Sequence, residues 1–140
     1  ESESRGLGDV YKRQHNIFAT NAAIAGHAKI LNKVIIGGLS AVQQFTTIGS
    51  YSMIGGASAV DKNIMPASLV FGNRAKLRGL NLVGLRRANF TNEEIRVIEN
   101  LHKNIELINT LRQDKKFIKV IEIFENYIKL LNEKIGTVKE

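Results

Sequence analysis

The sequence has no cysteine and no tryptophan, and its one proline is Pro66. Without cysteine there is neither a disulfide framework nor a thiolate metal site, as suits a reducing compartment. No apolar run approaches the roughly 20 residues of a bilayer-crossing helix, and the N-terminal residues lack a signal-peptide core. A cytosolic protein with no transmembrane segment is therefore expected. Acidic residues are scarce as well: 13 Asp and Glu face 20 Lys and Arg, a formal net charge of +7. That excess points to an acidic partner or substrate. The basic residues are not interleaved with aromatics and no binding motif appears, so nucleic acid is not the expected partner. At 140 residues the chain suits one modest domain.

What is abundant is a repeat. Phe18, Ile24, Ile30, Ile36, Val42, Ile48, Ile54 and Val60 fall every six residues without a slip. If roughly a third of residues are large and apolar, such a series arises by accident on the order of once in a thousand. Six is neither the period of a helix nor that of a sheet with one wet face, so the chain must turn every six residues. Small residues follow many ladder positions (Ala19, Ala25, Gly37, Gly49, Gly55) and suit a tight corner. Four residues after each ladder position runs a second row, small or β-branched, from Ala22 to Ile64. Three short strands per 18-residue coil, stacked at about 4.8 Å, make a left-handed parallel β-helix of the hexapeptide type.

The remaining segments divide as follows. Residues 1–14 stand outside the repeat, and Asp9 to Gln14 reads like the translation of GATGTGTATAAGAGACAG, which resembles the end sequence of a transposon-based sequencing adapter; this segment is set aside as an adapter-derived artefact. Residues 15–72 are the coils, closed near Pro66. Residues 73–90 form a connector with a short helix from about Leu80 to Arg87. Residues 91–140 form a helical domain. It opens on a capping box at Thr91 and Glu94, with one stripe from Ile95 to Leu111, a second from Phe117 to Leu131, and a stop at Gly136. The two helices are expected to pack as a hairpin against the end of the β-helix.

The stretches "AAIAGHAKI", "IIGGLSAVQQFTTIG", "FGN" with Ala75 behind it, and above all "GLNLVGLRR", followed by a two-helix domain, resemble the UDP-N-acetylglucosamine acyltransferases that begin lipid A synthesis in Gram-negative bacteria. The resemblance runs from about His15 to the C-terminus. It implies transfer of a 3-hydroxyacyl chain from acyl carrier protein to the sugar 3-hydroxyl, in a homotrimer with sites between neighbouring β-helices. The phosphopantetheine of acyl carrier protein would carry the acyl donor, and no other cofactor and no metal is expected. By resemblance Gly26 supplies a backbone oxyanion donor, a kind of group worth a few kcal/mol to a transition state. His27 lies beside the nucleotide sugar, Gln44 near the sugar and pantetheine arm, and Asn81 and Arg87 at the nucleotide and acyl chain. Gly56 sets acyl length. Asn73 and Arg74 join the substrate-binding set with Arg86, and Arg74, Arg78, Arg86 and Arg87 would face the acidic carrier protein. The chain departs from the family at Gln43, Val83 and Ala88.

The largest departure concerns the general base, for which a histidine is the usual choice. In the family it lies one coil before the Gly-His pair, where this chain has Gly8 and Asp9. His15 falls on another side of the prism, and His102 is expected at the surface of a helix. The chain is thus expected to be a C-terminal fragment with fewer than three coils, prone to associate, lacking the base and acyltransferase turnover. Another hexapeptide-repeat acyl- or acetyltransferase remains an alternative, as does a fragment that binds acyl carrier protein without catalysis. A zinc-dependent β-helix hydratase needs three converging histidines, and apart from His27 the chain has only His15 and His102.

Overall fold

The computed structural model describes residues 10–138, with side chains through residue 133. Nine two-residue strands lead the chain around a triangular prism: β1 (Tyr11–Lys12), β2 (Ile17–Phe18), β3 (Ala23–Ile24), β4 (Lys29–Ile30), β5 (Ile35–Ile36), β6 (Ala41–Val42), β7 (Thr47–Ile48), β8 (Met53–Ile54) and β9 (Ala59–Val60). Strands 18 residues apart pair in parallel, so face one is β1-β4-β7, face two begins β2-β5-β8, and face three is β3-β6-β9. Each ladder residue from Ile24 to Val60 points inward and is at most 2% exposed. The second row, Ala22 through Ile64, is buried beside it, as its small or β-branched character requires. The hydroxyls of that row stitch coil to coil. Ser40 Oγ donates to the Gly55 carbonyl (2.8 Å) and accepts from the Ser58 amide (3.1 Å), while Ser58 Oγ accepts from the Gly72 amide (3.1 Å).

The corners differ from the sequence expectation. The left-handed residue lies three positions after the ladder, not one, and is not glycine: His15, Asn21, His27, Lys33, Leu39, Phe45, Tyr51 and Ala57 all have φ between 55° and 67°. None is β-branched, the class for which that conformation is worst. The glycines after the ladder serve close approach instead. A Cβ on Gly37 would stand 2.5 Å from the Gly56 nitrogen one coil on, and one on Gly49 would stand 2.4 Å from the Pro66 nitrogen.

Residues 1–9 lie outside the described residues, but the expectation that the whole 1–14 segment stands apart from the repeat is corrected for its last part. Tyr11 and Lys12 pair with Lys29 and Ile30, and Lys12 occupies the next ladder position with its ammonium 5.1 Å from the Phe18 ring centroid. Backbone pairing needs no particular side chain, so a polar residue can extend the ladder. With β1 included the described coils number three rather than fewer.

The connector also holds more structure than expected. β10 (Ser68–Phe71) extends face two beside β8, and β11 (Lys76–Leu80) pairs antiparallel to β10. Helix α1 (Leu82–Arg87) follows, close to its predicted span. The capping box is present, opening α2 (Asn92–Lys103): Thr91 N donates to Glu94 Oε1 at 2.7 Å and Glu94 N to Thr91 Oγ1 at 3.1 Å. The first stripe does not form one helix. Asn104, with φ −154°, ends α2 and its side chain accepts from Glu106, so Ile105 to Leu107 make a tight turn before the short α3 (Ile108–Leu111). Helix α4 (Ile118–Val138) runs past Gly136 rather than stopping there.

Nor does the domain merely sit on the end of the prism. Phe117, Val120 and Phe124 pack with Ile95, Ile98 and Leu101 of α2, while Tyr127 and Leu130 pack on Leu31. Lys29 reaches α4, with its ammonium 3.5 Å from the Leu130 carbonyl. Thus α4 covers face one, and Thr47 on that face is fully buried. Burial leaves Tyr127 with its hydroxyl pKa pushed up to about 12.

The tight approach at Gly49 sets an expected outcome. Gly49→Ala meets backbone that cannot yield and should cost about 1–3 kcal/mol. Gly56→Ala, whose Cβ would lie 3.4 Å from the Gly38 oxygen, should cost under about 0.5 kcal/mol. Urea unfolding of both variants checks this, and equal costs would contradict it.

Candidate functional site

The corner geometry decides where the expected site residues stand. Gly26 and His27 occupy the edge between faces three and one, with Gln44 and Phe45 one coil further along. Gly26 is buried, whereas His27 and Gln44 are exposed. The Gly26 carbonyl accepts from the Phe45 amide at 3.3 Å, continuing the coil-to-coil bonding. The His27 ring lies flat on that of Phe45, with centroids 4.9 Å apart and planes at 4°. This stacking fixes the plane of an otherwise exposed imidazole.

Face three carries a shallow groove of about 460 Å³. Its floor is Ala23, Ala41 and Ala59, the small outward residues of three successive strands, and its rim is Gln43, Asp61, Asn73 and Arg74. Asp61 is the only carboxylate between residues 10 and 90, a stretch holding ten Lys and Arg. It pairs with Arg74, Nε to Oδ2 at 3.5 Å. The arginine is largely exposed, so solvent screens the pair.

The edge between faces one and two, and face two itself, carry the third group. Arg87, at the end of α1, borders two hollows. One of about 200 Å³ lies along the edge with His15, Lys33 and Tyr51; the other, of about 440 Å³, lies on face two with Met53, Leu69, Leu82 and Val83. Asn81 touches both hollows but is itself only 6% exposed, and both ends of its amide are engaged. Nδ2 donates to the Tyr51 carbonyl at 2.8 Å, and Oδ1 accepts from the Gly84 amide at 3.2 Å, capping α1. The amide folds over Gly84, where a Cβ would come within 2.4 Å of Nδ2. The spacing Asn-x-x-Gly is therefore a helix cap that fixes α1, and with it Arg87, against the corner at Tyr51. Arg86 is exposed beside Arg87. Gly56 is exposed on the remaining edge, between faces two and three.

Within one chain the residues thus fall into separate groups on all three edges. Asn73 and Arg74 share a groove, Asn81 and Arg87 share another region, and Gly26, His27 and Gln44 share an edge. No described cluster of three or more His, Asp or Glu residues could hold a metal.

His102 is placed differently from its expected surface position. Its ring is half-buried, edge-on to Phe124 with centroids 6.3 Å apart, and Nε2 lies 2.7 Å from the Pro66 carbonyl. A carbonyl only accepts, so Nε2 carries the proton and donates. The ring ties α2 to the loop that closes the coils. Desolvation holds its pKa below the ordinary value, against the opposing pull of the Pro66 bond and Glu99. Sequence reasoning missed this because the apolar neighbours come from α4 and a distant loop.

Comparison with known proteins gives a consistent set of similarities. Residues 64–133, half of the chain, match the model of the family described as UDP-N-acetylglucosamine O-acyltransferase, domain 2. An acyl-[acyl-carrier-protein]–UDP-N-acetylglucosamine O-acyltransferase of Nautilia profundicola is 46% identical over 97 residues, covering 69% of this chain and 38% of the relative. Its counterpart in Aliarcobacter butzleri is 45% identical over 98 residues, covering 70% and 38%. Among solved structures, the Arabidopsis UDP-N-acetylglucosamine acyltransferase superposes with a TM-score of 0.69 at 34% identity, covering 86% of this chain and 47% of that one. The Campylobacter jejuni protein gives 0.68 at 33% identity, covering 81% and 49%. The chain therefore spans well under half the length of the curated relatives it matches.

Two outcomes follow from the side-chain geometry. Asn81→Asp keeps the acceptor for Gly84 but cannot donate to Tyr51, and it buries a charge, so it should cost about 1–3 kcal/mol in urea unfolding. An unchanged midpoint would contradict the structural role. For His102 the neutral ring is the form favoured on folding, so its contribution is full above the ordinary pKa of 6.5 and declines as pH falls below it. Thermal melts between about pH 7.5 and 5.5 should decline less steeply for His102→Gln than for the native chain; identical slopes would contradict the assignment.

Proposed function

The chain belongs to the UDP-N-acetylglucosamine O-acyltransferase family, and on that premise we propose that the protein it represents transfers a 3-hydroxyacyl chain from acyl carrier protein to the sugar 3-hydroxyl of UDP-N-acetylglucosamine. The observation that carries the reading is the Asn81 cap with α1. It lies within the matched residues 64–133 and holds Arg87 beside the coil residues His15, Lys33 and Tyr51. Gly26 offers the backbone donor for the oxyanion of the thioester attack, His27 and Gln44 hold the sugar side, and Arg86 and Arg87 take the anionic parts of the substrates. In the attack the sugar oxygen bonds to the acyl carbon, its proton passes to a base, and the pantetheine thiolate leaves. By the resemblance the base belongs about one coil before the Gly26-His27 pair, near Gly8 and Asp9, neither of which is a histidine.

We also propose a homotrimer. Face one is covered by α4, but faces two and three are open, and their outward residues are complementary. Face two presents Ile17, 58% exposed, with Ile35, Met53 and Leu69, whereas face three presents Ala23, Ala41 and Ala59. Parallel sheets normally have both faces covered. Large side chains on one face and small ones on another suit a heterologous contact that closes into a ring. Such packing would bring the edge bearing His27 towards another copy's face two and Arg87.

The acidic carrier protein accounts for the charge distribution. The helical domain from residue 91 onward holds as many acids as bases, so the excess lies on the coils and connector. A basic surface steers an acidic partner and raises its association rate.

Calorimetry with UDP-N-acetylglucosamine, together with a product assay using 3-hydroxyacyl carrier protein, tests the reading. The chain should bind the nucleotide sugar, His27→Ala and Arg87→Ala should each weaken binding about tenfold, and no acylated sugar should form. Absent binding would contradict the family site; product formation would contradict the assignment of the base.

A further inference from the structure

The edge between faces one and two gathers a lysine, an arginine and a histidine around one small cavity. His15 and Lys33 occupy successive corners of that edge, 18 residues apart in sequence, with φ of 63° and 59°. Arg87 reaches the same place from the end of α1. All three line the cavity of about 200 Å³ whose other walls include Ile17, Ile35 and Tyr51. No carboxylate lines it, and none of the three has an ion-pair partner among the described residues. Burial raises the Tyr51 pKa and the charge of Glu122 of α4 adds to that effect, but Glu122 is not a wall of the cavity. Asp61, the one carboxylate of residues 10–90, is occupied with Arg74 on face three.

Like charges drawn to one partly apolar hollow repel each other, and an anion with oxygens on several sides relieves that repulsion. Arg87 offers a planar fork, and Lys33 a compact charge with three rotatable donors, a pairing suited to phosphate oxygens. The volume admits a phosphate group but not a whole nucleotide sugar. We propose that this cavity is a phosphate-binding site in which Lys33 and His15, from the coils, act together with Arg87. The site deepens the function proposed above and rests on it for the identity of the ligand. Both substrates of that reaction carry the required chemistry, one as a nucleoside diphosphate and the other as the phosphodiester of the pantetheine arm.

Lys33 and His15 sit at left-handed corners, so asparagine, which tolerates that conformation, is the substitution least disruptive to the fold. The full chain is titrated calorimetrically with inorganic pyrophosphate, UDP-N-acetylglucosamine and phosphopantetheine. Lys33→Asn and His15→Asn should each weaken pyrophosphate binding about fivefold or more, Lys33→Arg should retain most of it, and Lys129→Gln, an equal charge loss on exposed α4, should change it less than about twofold. Loss of affinity for the nucleotide sugar supports the site and assigns the diphosphate to it, while loss confined to phosphopantetheine supports it and assigns the donor arm. Pyrophosphate affinity unmoved by Lys33→Asn and His15→Asn, or moved equally by Lys129→Gln, overturns the proposal. If pyrophosphate binds in a Lys33-dependent manner while UDP-N-acetylglucosamine does not bind at all, the phosphate site stands and the acyltransferase reading falls.

Discussion

A residue held at positive φ once every six positions is the constraint from which the rest of the molecule follows. Eight such corners, from His15 to Ala57, turn the chain so that each ladder residue faces the prism axis and each following strand lands one spacing above the strand 18 residues before it. Because the corner is not glycine, its side chain is free to vary and projects outward. The fold thereby produces three edges whose decoration is independent of the core. His27, Lys33, Phe45 and Tyr51 are all corner residues, and each takes part in a stacking contact or a hollow described above.

The spacing of large apolar residues revealed the prism, because burial alternates so sharply that the ladder survives in the sequence. It misplaced the corner, since glycine is a better sign of conformational freedom than of crowding. In this chain Gly37 and Gly49 answer to the backbone of the next coil instead. The capping box at Thr91 was legible because its two hydrogen bonds are local. The break at Asn104 was not, for an apolar stripe continues across it and one side-chain acceptor decides the matter. The second burial stripe of α4, Tyr127 and Leu130 against Leu31, depends on a face of the prism that no local pattern announces.

For the site, sequence named residues that the structure then divides among edges. Asn81 is the clearest case. Its segment carries the resemblance to the family, yet in the folded chain its amide is spent on Tyr51 and Gly84. Its shown role is therefore to place α1, and with it Arg87. His15 is the reverse case: set aside on spacing alone, it stands at the same edge as Arg87 because α1 folds back over the coils. Contacts of this kind join residues far apart in sequence, and single-chain periodicity carries no trace of them.

With His27 on one edge, Gly56 on a second and Arg87 on the third, one prism cannot surround a substrate with all of them. In the homotrimer proposed above, the open faces two and three would bring a neighbouring copy to complete the site. The mass of the chain in solution, measured by sedimentation equilibrium, tests this most directly. Three times the 15.6 kDa of a single chain is expected; a monomer that binds UDP-N-acetylglucosamine with undiminished affinity would contradict the account.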